Sequence, residues 1–211
     1  MKNQGLTKLL LLAILTFLPA FSSVAAKLAD PQLAIEETSN KLKVKLQDES
    51  FIHDFNKVNA FVDEVINPHV DFKRISALVL GKLWRKATKE EKKRFTAEFK
   101  ILLIRTYSRA FIGFKDWSVR FLPLRIKEGA KKILVKTEIL QPGIQPLAIN
   151  YRMVISRGRW KMYDIMIEGV SLVTNYRTSI KAEYRKTGSI NGIIENLASR
   201  NAIALAKKDN S

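Results

Sequence analysis

Residues 132–168, KILVKTEILQPGIQPLAINYRMVISRGRWKMYDIMIE, decide the fold of this chain. Apolar and polar side chains alternate along most of this stretch, and a period of two residues is typical of a strand with one covered and one wet face. The polar Arg152, for example, lies between Tyr151 and Met153. The pattern therefore predicts strands whose covered face packs against other elements.

Short turn sequences divide this region into strands. Gln141-Pro142-Gly143 and Arg157-Gly158 interrupt the alternation, and connections this short join antiparallel neighbours. An earlier turn at Glu128-Gly129-Ala130 adds one more strand before the region. The pattern predicts an antiparallel meander of four or five strands, with the clear ones at residues 118–122, 132–140, 147–156 and 159–168.

Sequence on both sides of the meander has the 3.6-residue period of amphipathic helices. Asp30 is predicted as an N-cap with Pro31 at N1, while Thr88 and Glu91 form a capping box that begins a helix reaching about residue 111. The predicted helices begin near Asp30, Glu49, Asp71, Thr88, Leu172 and Ser189. The fold class is therefore α+β, a curved antiparallel sheet covered on one face by several helices.

The first 26 residues have the pattern of a secretory signal peptide. Lys2 and Lys8 make the start positive, residues 9–18 are apolar, and Val24-Ala25-Ala26 suits signal peptidase. The apolar stretch at residues 9–21 has 13 residues, fewer than the roughly 20 that a spanning helix needs. We therefore expect cleavage after Ala26, which leaves residues 27–211 as a single domain.

The net charge and the absence of cysteine limit the kinds of partner and of membrane anchor that this chain can have. The chain carries 37 Lys and Arg against 20 Asp and Glu, a formal net charge of +17. For an exported protein, the available anions are phospholipid headgroups, lipopolysaccharide and acidic protein faces rather than nucleic acid; an effect on solubility alone is the alternative. With no cysteine, disulfides and a thioester-linked lipid anchor are excluded.

The sequence contains few of the residue patterns that are typical of catalytic sites. His53 and His69 do not form a zinc-binding pattern, and no nucleophile elbow or phosphate-binding glycine loop is present. Asp164 and Glu168 lie four residues apart in a strand and could form an acid–base pair, although a structural hydrogen bond of Asp164 is the alternative. The sequence indicates neither catalytic residues nor a metal or other cofactor.

Several stretches resemble one protein family. VLGKLWRKAT at residues 79–88 resembles its V-L-G-x-x-W-x-x-A-T segment, although Leu83 stands where an aromatic residue is more frequent. RFTAEF and LLIRTY, at residues 94–99 and 102–107, resemble its R-F-x-x-x-F…L-L-x-R-T-Y helix. WKMYDIMIEGVSLV at residues 160–173, followed by Asn-Tyr-Arg, resembles its W-K-v-Y-D-v-x-v-E-G-V-S-L-V block. The chain is thus similar to the MlaC, or toluene-tolerance, family.

The resemblance implies a periplasmic phospholipid-binding component of the Mla (maintenance of lipid asymmetry) system. Such a carrier moves phospholipid between an outer-membrane lipoprotein complex and an inner-membrane ABC transporter, with transient membrane contact. It also implies an apolar pocket between the sheet and the helices, a monomer, and no cofactor. The implied function of residues 27–211 is to hold acyl chains, since each buried CH₂ group contributes about 0.8 kcal/mol.

Candidate lipid-binding residues follow from the helix stripes and strand faces, with ordinary core packing as the alternative for each. The helical wall is expected to contain Leu78, Val79, Phe99, Leu103 and Tyr107. The sheet wall is expected to contain Tyr151, Met153, Ile165, Ile167 and Val170. Trp84, Trp160 and Asp164 are interpreted as structural.

A basic stretch could steer docking to anionic membranes or acidic partner faces, or could be a plain solvated face. Its residues are Lys82, Arg85, Lys86, Lys89, Lys92 and Lys93. Two other functions remain open from the residues alone. One is a small enzyme built around Asp164, and the other is an extracytoplasmic adaptor that binds anionic polymers and would lose them at high salt.

Overall fold

The structure, a computed structural model, describes residues 29–107 and 116–206. The predicted signal peptide, the last residues of the helix expected to reach position 111 and the C-terminal tail lie outside the described residues. The helices are α1 (Asp30–Lys45), α2 (Glu49–His53), α3 (Phe55–Phe61), α4 (Phe72–Leu80), α5 (Lys82–Lys86), α6 (Lys89–Tyr107), α7 (Leu172–Thr187) and α8 (Ile190–Ala206). The strands are β1 (Ser118–Phe121), β2 (Lys132–Gln141), β3 (Ile144–Ser156), β4 (Arg159–Ile167) and β5 (Val170–Ser171).

The five strands form one antiparallel sheet in sequential order, which confirms the predicted meander. Val135 lies opposite Tyr151, and Tyr151 lies opposite Ile165, so apolar side chains align across the three long strands. Strand β3 begins at Ile144, three residues earlier than predicted, because it pairs with β2 almost to the turn.

Two hairpins depend on residues with positive φ. Arg157 and Gly158 have φ of 51° and 77°, and Glu168 and Gly169 have φ of 48° and 79°. Positive φ at both loop residues is what a two-residue type I′ turn needs, and glycine adopts it without steric cost. The turn at Glu168 and Gly169 reverses the chain, so that the fifth strand, β5, pairs with β4 and leads directly into α7.

Helix α1 lies on the covered face of the sheet. Its Ile35 packs with Val135 and Met153, all three of them buried. The buried Gln32 accepts a hydrogen bond from the Ala29 amide at 3.0 Å and donates one to the Leu122 carbonyl at 3.2 Å, just past the end of β1. The first helix is therefore fastened to the sheet by a polar bridge as well as by apolar contact.

Two predictions about the first helices were wrong in detail. Ala29 is the N-cap of α1, and Asp30 is already helical because the Gln32 side chain satisfies the Ala29 amide. The single helix predicted from Glu49 is broken, since the Asp54 carboxylate accepts from two backbone amides and caps a new helix, α3. A π-helical turn, Val62–Ile66, and a 3₁₀ turn follow before α4.

The starts of α4, α6, α7 and α8 agree with the sequence, whereas the short α5 was not predicted. The Thr88 hydroxyl accepts from the Glu91 amide at 3.1 Å, and the Glu91 carboxylate accepts from the Thr88 amide at 2.8 Å, which confirms the capping box. The buried Asn201 of α8 donates to the Glu98 carbonyl of α6 at 2.9 Å and accepts from Arg105 at 2.8 Å. These bonds align α6 and α8 side by side.

Asp164 joins the sheet to α7. Its carboxylate, 3% exposed, accepts from the Ser171 hydroxyl at 2.7 Å, the Val173 amide at 3.1 Å and the Arg152 guanidinium at 3.1 Å. A β-bulge leaves Tyr163 without an opposite partner on β3 and shifts the register next to Asp164. The bonds are those of a structural carboxylate, because they satisfy the group from three sides.

Replacement of Asp164 by Asn should lower the free energy of unfolding by about 2 kcal/mol, because an amide directs an N–H group at one of the donors that the carboxylate accepts. Chemical denaturation of both proteins measures the change. Glu138→Gln is the matched control, since it weakens a solvent-exposed pair with Arg120 and should change stability by less than about 1 kcal/mol. Equal effects of the two substitutions would contradict the structural role of Asp164.

Candidate functional site

An apolar cavity of about 360 Å³ lies between the covered face of the sheet and the helices. It lies where three separate apolar clusters meet. The first includes Phe99 of α6, the second Phe61 of α3, and the third Met153 of β3, and all three residues line the cavity. The cavity is thus the space that these clusters surround without filling.

The wall of the cavity is almost entirely hydrocarbon and aromatic. Helices α1 to α3 and the π-helical turn contribute one side, α6 and α7 the end, and β2 to β4 the floor. Its apolar residues include Ile35, Leu42, Phe51, Phe61, Ile66, Phe72, Ile75, Phe99, Leu103, Ile139, Ile149, Tyr151, Met153, Ile165, Ile167 and Tyr176. A cavity of this volume with an apolar wall is suited to small apolar or amphipathic ligands.

Seven of the ten candidate lipid-binding residues lie on this wall: Phe99, Leu103, Tyr107, Tyr151, Met153, Ile165 and Ile167. The other three lie elsewhere. Val79, 1% exposed, packs in the core between α4, α6, α7 and α8, and Leu78 packs beside that core while its carbonyl accepts from Arg177 at 2.6 Å. Val170 of β5 is 60% exposed. Helix α4 presents Phe72 and Ile75 to the cavity instead.

The contribution of α1 to α3 to the cavity wall was not predicted from the sequence. Ile35, Phe51 and Phe61 all line the cavity, and Phe51 and Phe61 meet edge to face with ring centroids 5.6 Å apart. Their helical spacing was visible, but spacing shows only which side chains share a face of one helix. Which of several helices faces the sheet floor depends on the tertiary arrangement.

Two tyrosines bring hydroxyl groups to the apolar wall. Burial raises the pKa of Tyr151 to about 12, and its hydroxyl is bonded to the Thr137 side chain, which itself donates to the Ile149 carbonyl at 2.5 Å. Tyr151 is half-buried and lines the cavity. Burial and a bond to Tyr176 also raise the pKa of Tyr107. Both groups stay neutral, so the wall carries no phenolate charge.

His69 lines the cavity and is half-buried. Burial lowers the pKa of its imidazole, the Glu37 carboxylate opposes this, and the nearby Lys41, Arg159 and Lys161 lower it further. The lining residue His69 is therefore also within electrostatic reach of surface charges. This places His69 at the rim, where the cavity wall meets solvent.

The predicted docking residues form a different region, on α5 and the first turns of α6. Lys82, Arg85, Lys86, Lys89 and Lys93 are exposed, whereas the ammonium group of Lys92 lies 5.6 Å from the centre of the Trp84 ring. None of the six lines the cavity. The basic stretch and the cavity are thus separate features of the molecule.

Within residues 29–107 and 116–206, no three His, Asp or Glu side chains converge to hold a metal ion. No helix in the same ranges is long and apolar enough to cross a membrane. An apolar cavity with the half-buried His69 on its lining is the feature that the described residues offer for binding.

The protein-family model described as MlaC protein matches residues 36–199 of this chain. The chain belongs to the MlaC family. The toluene tolerance protein Ttg2D of Pseudomonas putida is 23% identical over 202 residues, which cover 94% of each chain. The intermembrane phospholipid transport system binding protein MlaC of Haemophilus influenzae is 23% identical over 168 residues, which cover 76% of this chain and 78% of that protein.

A solved structure agrees with this membership. The phospholipid-binding protein from Ralstonia solanacearum, in complex with a phospholipid, has a TM-score of 0.77 and 30% sequence identity. The match covers 84% of this chain and 99% of that one. The MlaC-family chain therefore shares the fold of a protein that binds a phospholipid, which confirms the predicted α+β class.

The stability of the protein should fall as the pH drops below about 6.5, in part because of His69. Burial lowers its pKa in the folded state below the unfolded value of 6.5, so the unfolded chain binds the proton more readily. His69→Gln should reduce this acid sensitivity, as measured by urea denaturation between about pH 7.5 and 5.

The other histidine provides the control for this measurement. His53 is exposed at the end of α2, so His53→Gln tests removal of a histidine that does not line the cavity. A variant at His69 whose stability follows the wild-type pH profile would contradict the effect of burial on its imidazole.

Proposed function

We propose that the protein is a periplasmic phospholipid carrier that holds the acyl chains of its ligand in the cavity. The observation that carries this proposal is the apolar cavity between sheet and helices. Membership of the MlaC family and the phospholipid bound by the Ralstonia solanacearum protein support the ligand class. The seven wall residues predicted from the sequence, Phe99, Leu103, Tyr107, Tyr151, Met153, Ile165 and Ile167, are proposed to contact the chains.

The proposed function depends on the burial of acyl chains and involves no chemical reaction. Each CH₂ group taken from water contributes about 0.8 kcal/mol, so acyl chains cross an aqueous space only when they are covered. A wall of aliphatic and aromatic side chains provides that cover, and binding needs no covalent step. Asp164 is occupied by three structural bonds, which leaves the proposed acid–base role without support.

Location and partners belong to the same proposal. Residues 1–26 are proposed to direct export and to be removed after Ala26, so that residues 27–211 act in the periplasm as a monomer. The partners are proposed to be an outer-membrane lipoprotein complex and an inner-membrane ABC transporter. The name of the Haemophilus influenzae relative, an intermembrane phospholipid transport system binding protein, supports this assignment.

Native mass spectrometry of residues 27–211, purified from the periplasm without detergent, tests the carrier. A stoichiometric mass increase that yields phospholipid on extraction is expected. Leu103→Glu should abolish this load in a folded protein, because a carboxylate on the cavity wall opposes the apolar chains. Val170→Glu adds the same charge at an exposed position outside the cavity and should retain lipid.

Circular dichroism separates the possible failures of this test. An unfolded Leu103→Glu protein would show that Leu103 is core rather than cavity wall. A wild-type protein without lipid, and without uptake from added liposomes, would contradict the carrier and favour the adaptor that binds anionic polymers.

The basic stretch on α5 and α6 is proposed to steer the carrier to anionic surfaces. Lys82→Glu with Lys89→Glu should slow lipid transfer to anionic vesicles several-fold at low salt, because attraction of the exposed lysines is lost. Lipid retention should not change, since neither residue lines the cavity. Lys132→Glu with Lys136→Glu, on exposed positions of β2, matches the change in net charge. Equal slowing by both pairs would show an effect of total charge only.

A further inference from the structure

A hairpin without charged side chains extends from the sheet at the end of β2 and the start of β3. Residues 139–151, ILQPGIQPLAINY, contain no Lys, Arg, Asp or Glu, although 27% of the chain is charged. Residues 142–146 are exposed, and Ile144 among them is 61% exposed. Solubility favours charged side chains at such exposed positions, so their absence indicates a different use of this segment.

The hairpin is longer than the strands beside it. The residue pairing of β3 with β4 ends at Ile149, and the pairing of β2 with β1 ends at Leu140. Residues 142–147, here called the hairpin tip, therefore extend past both neighbouring strands. At about 3.3 Å per residue, Ile144 lies roughly 15 Å beyond the last residue pair of β3 and β4.

The base of the hairpin is part of the cavity wall. Ile139 of β2 and Ile149 of β3 line the cavity, whereas the hairpin tip lies outside its lining. Leu147 of the tip lies opposite Ile139 and shares a face with Ile149, because side chains two residues apart on a strand point to the same side. Apolar side chains therefore follow one face of β3 from the cavity to the tip.

The backbone beside the hairpin tip is poorly suited to pairing with a strand of another protein. The Ala148 amide donates to the Glu168 carboxylate at 2.6 Å, and the Ala148 carbonyl accepts from the Glu168 amide at 2.9 Å. Two residues nearer the tip, Pro146 has no N–H group. Strand addition needs free backbone groups along the edge. A partner of the tip would therefore contact its side chains rather than its backbone.

The size and composition of the hairpin tip fit a lipid bilayer better than a protein. A stable protein interface takes about 20–30 residues from each side, whereas the tip offers six. A bilayer needs no matching shape, and segments in its interfacial region enter by roughly 5–10 Å, which the tip can reach without the rest of the sheet. The tip has no charge to oppose this entry. The net charge of +17 on the whole chain adds attraction to an anionic bilayer.

We propose that the hairpin tip inserts into the surface of a phospholipid bilayer and so places the protein where acyl chains can pass between bilayer and cavity. This inference rests on the proposed carrier function and adds to it the segment that contacts the membrane. The exposed Ile144 provides the main apolar contact. Because six residues bury only a small apolar area, the contact is weak enough to be reversed after each exchange of lipid.

A fluorophore on the hairpin tip tests the insertion directly. The chain has no cysteine, so Ile144→Cys in residues 27–211 provides a single attachment site for the environment-sensitive dye NBD. With vesicles of phosphatidylglycerol and phosphatidylethanolamine, its emission should increase several-fold and shift to shorter wavelength. After the vesicles are removed by centrifugation, the emission of the protein left in solution should return to that of a dye in water. Ile203→Cys, on α8 and 55% exposed, is the matched control and should not respond.

Ile144→Gln measures the contribution of the insertion to lipid transfer. The substitution should lower the rate of lipid uptake from the same vesicles about tenfold, the effect expected when one apolar side chain is no longer buried. The loss should persist at high salt, because contact of an apolar side chain is not screened by ions. Ile203→Gln makes the same substitution at a similarly exposed position outside the cavity and should keep the wild-type rate. Lipid retention by the Ile144→Gln protein should be unchanged in native mass spectrometry.

The possible failures are distinguishable. A wild type that takes up lipid while the dye at position 144 stays in water would overturn the insertion and leave the carrier function intact. A wild type that neither retains nor takes up lipid would instead overturn the carrier function. A dye that responds only to vesicles prepared from native membranes, and no longer after protease treatment of those vesicles, would overturn the bilayer in favour of a membrane protein as the partner of the tip.

Discussion

An apolar volume that the protein's own side chains leave empty is the constraint on which the rest of this structure depends. An unfilled apolar cavity lowers the stability of the folded chain, because the side chains that line it lose the contacts that a packed core would give them. A ligand of matching polarity recovers part of that free energy when it enters. The same empty volume is therefore a cost to the folded chain alone and a source of affinity for an apolar ligand.

Such a cavity persists only if its walls cannot move together, and the polar contacts at its edges provide this rigidity. Gln32 bonds the start of α1 to the end of β1, and Asp164 bonds β4 to the start of α7. Asn201 holds α6 against α8 behind the end wall. Each of these side chains is buried and satisfied, so a shift of a helix into the cavity would break bonds that water cannot replace.

The arrangement divides the proposed task between two kinds of interaction. Burial in the cavity depends on area and is tolerant of chain structure, whereas the proposed attraction of the exposed basic stretch around Lys82 to anionic surfaces depends on the sign of the charge and on salt. The basic stretch lies outside the cavity. A carrier of this kind can release its ligand without any chemical step, provided that a partner or membrane offers the chains another apolar environment.

The sequence by itself determined the strands with their turns, the starts of the later long helices, the α+β class and the strand faces that form the floor of the cavity. Strand alternation fixes which side of each strand is covered, and this placed Tyr151, Met153, Ile165 and Ile167 on one face. Only the tertiary structure decided which helix faces contact the cavity and which pack against another helix. Val79 and Phe99 share the same apolar character, yet Val79 lies in the core and Phe99 on the wall, because α4 turns that side chain towards the neighbouring helices. The position of Val70 beside Met162 on the cavity wall likewise needed the tertiary structure, since periodicity is a local property and cannot join residues 92 positions apart.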